Sequence, residues 1–265
     1  MASTLLTSLI SYYKLDENAA STTVDDAHGS NDGTASTNTN NLYDASGKIN
    51  SAFDFNGTDE YVTATSGVQT GDWSVTAWFK SSSTAGNCVF MVNGGVGNGI
   101  GIMLGGLSEG KIAILQDKVT WGGASTTSYN DGNWHFVVLT KSGTSYNAYV
   151  DGGSTAVSSI TATVTMGTSF NIGRTNNNDI RYLYWFDGLV DEVGIFDAVL
   201  TTTQMSDLYN SGDGFAYPFT TGTNMSINIA DVWKDVDSLQ INIGDVWKDV
   251  VAVQQNVGDA WVDVF

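Results

Sequence analysis

The chain has 265 residues, 42% of them hydrophobic, which is enough for a proper core, and its 28 acidic against 10 basic residues give a net charge of −18. That balance excludes a phosphate-backbone partner, which needs clustered Lys and Arg, so no nucleic acid is expected as a ligand. The single Cys88 excludes an intramolecular disulfide framework and reads as a buried thiol, and no stretch approaches the roughly 18 apolar residues of a membrane span.

The N-terminus, residues 1–6, lacks the basic flank and long apolar run of a secretory signal, so a soluble protein is expected, exported if at all by another route such as cell lysis. With 30 Gly and one Pro, and with short apolar alternations broken by Gly or Asn, the chain suits antiparallel β-structure closed by tight turns. Strands are expected at 10–15, 52–55, 61–63, 73–80, 89–93, 100–104, 111–116, 134–141, 145–150, 169–172 and 189–196, with turns such as Asp131-Gly132 and Asp151-Gly152 between them. One helix signal follows. Thr201 can cap with Gln204 three residues on, Leu200 and Met205 fall at the staple positions, and Gly212 supplies a stop, which predicts a short helix over 202–210.

Residues 218–224 hold the only proline and read as a linker. Beyond it, Ile227-Asn228-Ile229-Ala230-Asp231-Val232-Trp233-Lys234-Asp235-Val236 returns 14 residues later as Ile241-Asn242-Ile243-Gly244-Asp245-Val246-Trp247-Lys248-Asp249-Val250, and a truncated third copy ends the chain. The pairs at 230, 244 and 258 sit where two-residue hairpin turns would, and a small antiparallel meander with one apolar face is expected. The organisation read from the sequence is therefore 1–217 sandwich, 218–224 linker and 225–265 three-copy β-module. Trp233, Trp247 and Trp261 could form a sugar ladder, but equal spacing in a repeat is first a packing signature, so they are read as core or subunit contact.

Five ordered segments carry a family resemblance: Tyr12-Tyr13-Lys14-Leu15-Asp16-Glu17; Gly47-Lys48-Ile49 leading to Phe55-Asn56-Gly57-Thr58-Asp59-Glu60-Tyr61-Val62; Trp73-Ser74-Val75-Thr76-Ala77-Trp78-Phe79-Lys80; Trp134-His135-Phe136-Val137-Val138 with Tyr149-Val150-Asp151-Gly152; and Phe186-Asp187-Gly188-Leu189-Val190-Asp191-Glu192-Val193. They resemble laminin-G-like jelly-roll domains of the concanavalin A-like lectin/glucanase superfamily, over about four-fifths of the chain. The resemblance implies an all-β sandwich of antiparallel sheets with one short helix. It also implies a structural Ca²⁺ between an early loop and the acidic last strand, here Asp26, Asn31 and Asp191; the alternative is that Asp26 and Asn31 only form turns. Strand alternation should point Glu192 away from Asp191, leaving one of the two as a ligand. The C-terminal repeat is similar to short Trp-Lys repeats of phage tail and virion proteins.

Two histidines limit acid-base chemistry, and neither His28 nor His135 sits in a nucleophile motif. Retaining glycosidases of this superfamily are similar to one another in carrying two Glu flanking an Asp on one strand, whereas Glu17, Glu60, Glu109 and Glu192 are dispersed here. A non-catalytic protein is expected. For glycan contacts the sequence offers Trp121 beside Gly122-Gly123, and Asn178, Arg181 and Tyr182 in the loop 176–185; Tyr184 and Trp185 are equally readable as core. The expectation is a virion structural protein, a phage tail or capsid-surface appendage, at the virion surface or else extracellular. It would bind other virion proteins or itself through 225–265 as a homo-oligomer and a cell-surface glycan through the sandwich, without membrane insertion. The alternatives are a free carbohydrate-binding module and a glycoside-active enzyme.

Overall fold

The computed structural model describes residues 2–65, 67–68, 71–94, 99–116, 120–164, 166–175 and 184–219, and further on the strand residues 225–229, 232–236, 240–243, 246–249, 254–257 and 260–263. The chain divides into two compact units, Ser3–Pro218 and Phe219–Phe265.

The strands of the first unit are β1 (Leu9–Tyr13), β2 (Thr23–Val24), β3 (Gly33–Ala35), β4 (Tyr43–Asp44), β5 (Ala52–Asn56), β6 (Val62–Thr65), β7 (Trp73–Lys80), β8 (Asn87–Gly94), β9 (Gly99–Leu104), β10 (Ile112–Gln116), β11 (Thr120–Trp121), β12 (Trp134–Ser142), β13 (Ser145–Val150), β14 (Ser158–Thr161), β15 (Met166–Ile172) and β16 (Asp187–Phe196). They form two antiparallel sheets. The first runs β14-β13-β12-β7-β16-β5-β4 with β1 also on β16, and the second runs β11-β10-β9-β8-β15-β6-β3-β2. The unit is an all-β antiparallel sandwich of the expected class, and every expected strand is present within a few residues of its bounds.

The core lies between the sheets, where alternate residues of each strand converge: Trp73, Val75 and Phe79 from one side meet Phe90, Ile102 and Phe170 from the other. Strand β7 is buried along seven of its eight residues, because its second face is also covered. There Trp78 stacks on Tyr209 with ring centroids 5.6 Å apart. Tyr209 ends the helix Thr202–Tyr209, whose Thr201–Gln204 capping box closes as the sequence predicts. Short helices at Ala2–Ser8 and Thr39–Leu42 are additions that the sequence reading lacks.

In the second unit Ile229 faces Val232, Ile243 faces Val246 and Val257 faces Ala260, so the two strands of each copy pair antiparallel with each other. The expected meander is corrected to three separate two-stranded sheets: among the described residues no ladder joins one copy to the next. The register repeats, with Asn228 opposite Trp233, Asn242 opposite Trp247 and Asn256 opposite Trp261.

Candidate functional site

The expected metal residues fall into two sets. Asp26 is almost buried in the loop after β2, and its Oδ1 accepts backbone N–H bonds from Tyr12 at 2.9 Å, Gly29 at 2.9 Å and His28 at 3.2 Å. Its Oδ2 accepts the N–H of Asn31 at 3.0 Å. Burial pushes the carboxyl up, but these donors outweigh it and hold its pKa below the usual range. Asn31 donates its side-chain amide to Ser11 at 2.9 Å. Asp26 thus organises its own loop and the adjoining Tyr12 by accepting backbone N–H bonds on both oxygens.

Asp191 lies on β16, fully buried, with Oδ2 accepting the N–H groups of Lys48 at 2.7 Å and Ile49 at 2.9 Å and with Oδ1 buried and unpartnered. Its pKa is raised well above the usual carboxylate range by burial and then by the charge of Glu192. The expectation that alternation would send Glu192 the other way is corrected. The ladder is irregular between Asp191 and Gly194, Glu192 takes a left-handed φ of 51°, and both carboxyls are buried. Burial, against a hydrogen bond from the Tyr12 hydroxyl, pushes Glu192 up to about 7.

The orphaned Oδ1 of Asp191 fits a cation, whereas both oxygens of Asp26 already accept backbone N–H bonds. Among the described residues no three His, Cys, Asp or Glu side chains are arranged as a metal centre. A calcium ion at Asp191 would therefore draw much of its shell from backbone carbonyls and water.

The second cluster lies on the outer face of the second sheet. Along β9 and β10 the core takes Ile102, Leu104, Ile112 and Ile114, so Met103 and Leu115 turn outward, where Cys88 and Met91 join them in a separate buried apolar cluster. Trp121 and Tyr184, both half-buried, pack on that cluster, their rings edge-to-face with centroids 6.3 Å apart. Glycine keeps the space for them. A Cβ on Gly106 would stand 2.5 Å from the Trp121 ring, and one on Gly86 3.0 Å from the Tyr184 ring. Of the expected glycan residues Trp121 lies half-buried on this cluster, while Asn178, Arg181 and Tyr182 lie outside the described residues. Tyr184, read as core or contact, is the partner that the sequence left open. Trp185 next to it lies against Tyr61 at 5.8 Å and under Arg174.

His135, the one histidine in a strand, is held on both ring nitrogens, by Asp151 at 2.8 Å and Asp131 at 3.1 Å. No hydroxyl or thiol among the described residues is hydrogen-bonded to it.

Residues 56–206 match a laminin G family model described as the concanavalin A-like lectin/glucanases superfamily. Among solved structures the chain is similar to domain 4 of an extracellular arabinanase from Geobacillus stearothermophilus in complex with arabinotriose, at 22% identity and a TM-score of 0.59 over 76% of this chain and 97% of that one. It is similar to Trypanosoma rangeli sialidase in complex with sialic acid, at 16% identity and 0.59, over 78% of this chain and 33% of the sialidase. A receptor binding domain gives 14% identity and 0.56 over 79% of this chain and 52% of its own. The chain thus spans about a third of the sialidase and about half of the receptor binding domain. These likenesses are of fold. No curated protein sequence matches the chain.

Proposed function

We propose, from the premise that the chain belongs to the concanavalin A-like lectin/glucanase superfamily through its laminin-G-type domain, that the sandwich is a non-catalytic module that recognises glycans on the outer face of its second sheet. The observation that carries this is the Trp121–Tyr184 pair. Two half-exposed rings, seated on a packed apolar cluster and given room by glycines, offer a rigid surface for the C–H face of a sugar. The arabinanase domain of the same fold, solved with arabinotriose, supports the assignment to carbohydrate.

The absence of catalysis is part of the proposal. His135 is occupied by two aspartates, Glu192 is buried under Tyr12, and Glu17 and Glu60 accept the backbone N–H groups of Asp25 and Asn56. Within the same reading, the hairpin repeat fastens the sandwich to an assembly, proposed to be a phage tail or capsid surface, and a structural Ca²⁺ is held at Asp191. Binding of the full chain to a glycan panel, repeated with Trp121→Ala, tests the core of the proposal. Sugar affinity lost in the variant supports it, and no binding, or release of reducing ends, overturns it. Proteomics of purified virions tests the location.

A further inference from the structure

The end of β7, the start of β16 and the turn Asp131-Gly132 before β12 enclose a cleft of about 200 Å³, lined among the described residues by 80–83, 132 and 187–189. Its walls are tied to one another. The Ser81 hydroxyl donates to the Asp187 carbonyl at 2.6 Å and accepts the N–H of Ser83 at 3.1 Å. Gly132 N–H donates to the Ser81 carbonyl at 3.1 Å, and the Asn130 side-chain amide donates to the Ser83 carbonyl at 3.2 Å. Lys80 pairs with Leu189, and at Gly188, where φ is 135°, a Cβ would stand 2.3 Å from the Lys80 carbonyl, so glycine is what lets the two strands meet there. A cleft fixed in this way before a ligand arrives loses little freedom on binding.

The lining defines the chemistry. Lys80 brings an ammonium, which only donates, Asp187 a carboxylate, which only accepts, and the exposed Ser82 a hydroxyl, which does both, while Leu189 adds an apolar wall. An anion would meet Asp187 and a cation would meet Lys80, whereas the hydroxyls and C–H groups of a neutral sugar suit them all. The cleft is smaller than the roughly 300–1,000 Å³ of sites for drug-sized ligands, which suits a single sugar ring.

Both walls lead to the aromatic pair. Ser83 is three residues from Gly86, which faces the Tyr184 ring, and Asp187 is three residues from Tyr184 itself, a reach of about 10 Å at full extension. The buried Asn87 clasps the two stretches, its side chain accepting the Asp187 N–H at 3.0 Å and donating to the Ala85 carbonyl at 2.8 Å. We propose that the cleft is a second subsite, which holds a further ring of a neutral oligosaccharide already seated on Trp121 and Tyr184. This rests on the glycan reading above and specifies its ligand as a chain of uncharged sugars.

The test titrates the full chain with neutral oligosaccharides of the arabinose, glucose, galactose and mannose series, from monosaccharide to hexasaccharide, and with oligomers of galacturonic acid. Affinity is expected to rise about ten-fold or more once the chain of sugars reaches the cleft. Lys80→Met and Asp187→Ala should return the longer chains to the affinity of the shorter ones, and Trp121→Ala should weaken every length. Should Asp187→Ala fail to fold, Ser82→Val, at an exposed position, takes its place. Affinity independent of length, or a gain that the cleft variants keep, overturns the second subsite and leaves glycan recognition standing. Tighter binding of galacturonic acid oligomers than of galactose oligomers overturns the assignment to uncharged sugars. No binding to any member of the series overturns both readings.

Discussion

The Tyr12 hydroxyl donates to the Glu192 carboxylate across the pair formed by β1 and β16, with both residues buried. Removing the hydroxyl leaves a buried acceptor unsatisfied, so Tyr12→Phe should cost about 1–3 kcal/mol. Glu192 has a folded-state pKa raised to about 7 from an ordinary 4.5, so its favourable contribution is full below 4.5 and is lost as pH rises through 7. The variant's deficit should therefore be larger at pH 8, where the orphaned group is charged, than at pH 5. Urea unfolding at both values checks this, and a deficit that ignores pH would count against the assignment.

His135 carries the second pH dependence. Burial opposes its charged form, but hydrogen bonds and charge from Asp151 and Asp131 outweigh burial and raise its pKa. Its contribution is complete below the ordinary imidazole value of about 6.5 and fades as pH climbs through the raised folded value. The Asp131 side chain is about half exposed, so most of the effect is from Asp151, on the order of 1 kcal/mol. His135→Gln should flatten the melting profile over this range; an unchanged slope would refute the assignment.

Gly106→Ala tests the aromatic surface without touching either ring. Gly106 has no left-handed φ to protect, so the new methyl acts only by displacing Trp121. Glycan affinity should fall several-fold and tryptophan emission should shift, while the sandwich loses about 1–2 kcal/mol through overpacking. Normal affinity with a moved ring would remove Trp121 from the binding surface.

Calcium is predicted to raise the melting temperature relative to chelator by binding the folded state alone. Asp191→Asn should abolish that gain, while in chelator it should be neutral or stabilising because it removes a buried charge beside Glu192. A melting temperature indifferent to both additions in the unaltered protein would end the calcium proposal.

Truncation after Thr223 should leave a soluble sandwich whose melting is nearly unchanged, and should remove oligomers or virion attachment. Light scattering on both chains and a particle-binding assay decide. A truncated chain that unfolds, or that assembles as before, would show that the hairpins are not an assembly device.

The sandwich was largely legible because Ile100 to Leu104 or Trp73 to Lys80 announce themselves by apolar alternation and β-branched content. Short edge strands such as Thr23–Val24 and Ser158–Thr161 were missed, since so few residues set no period. The helix was read correctly because capping chemistry is local. The burial of Glu192 beside Asp191 was not legible: a strand irregularity breaks the parity on which alternation depends. Trp121 stood out as an aromatic among glycines, whereas the pairing of Arg174 with Tyr61 joins positions 113 apart and leaves no local trace.

Among the described residues the three C-terminal ladders each close within a single copy, so none of these ladders supplies an edge that another of them needs. Loss or gain of one 14-residue unit would break no pairing in those that remain, unlike the removal of a strand from a continuous sheet. Valency in such a tail becomes a parameter that unequal recombination can adjust in whole steps, with the sandwich left untouched.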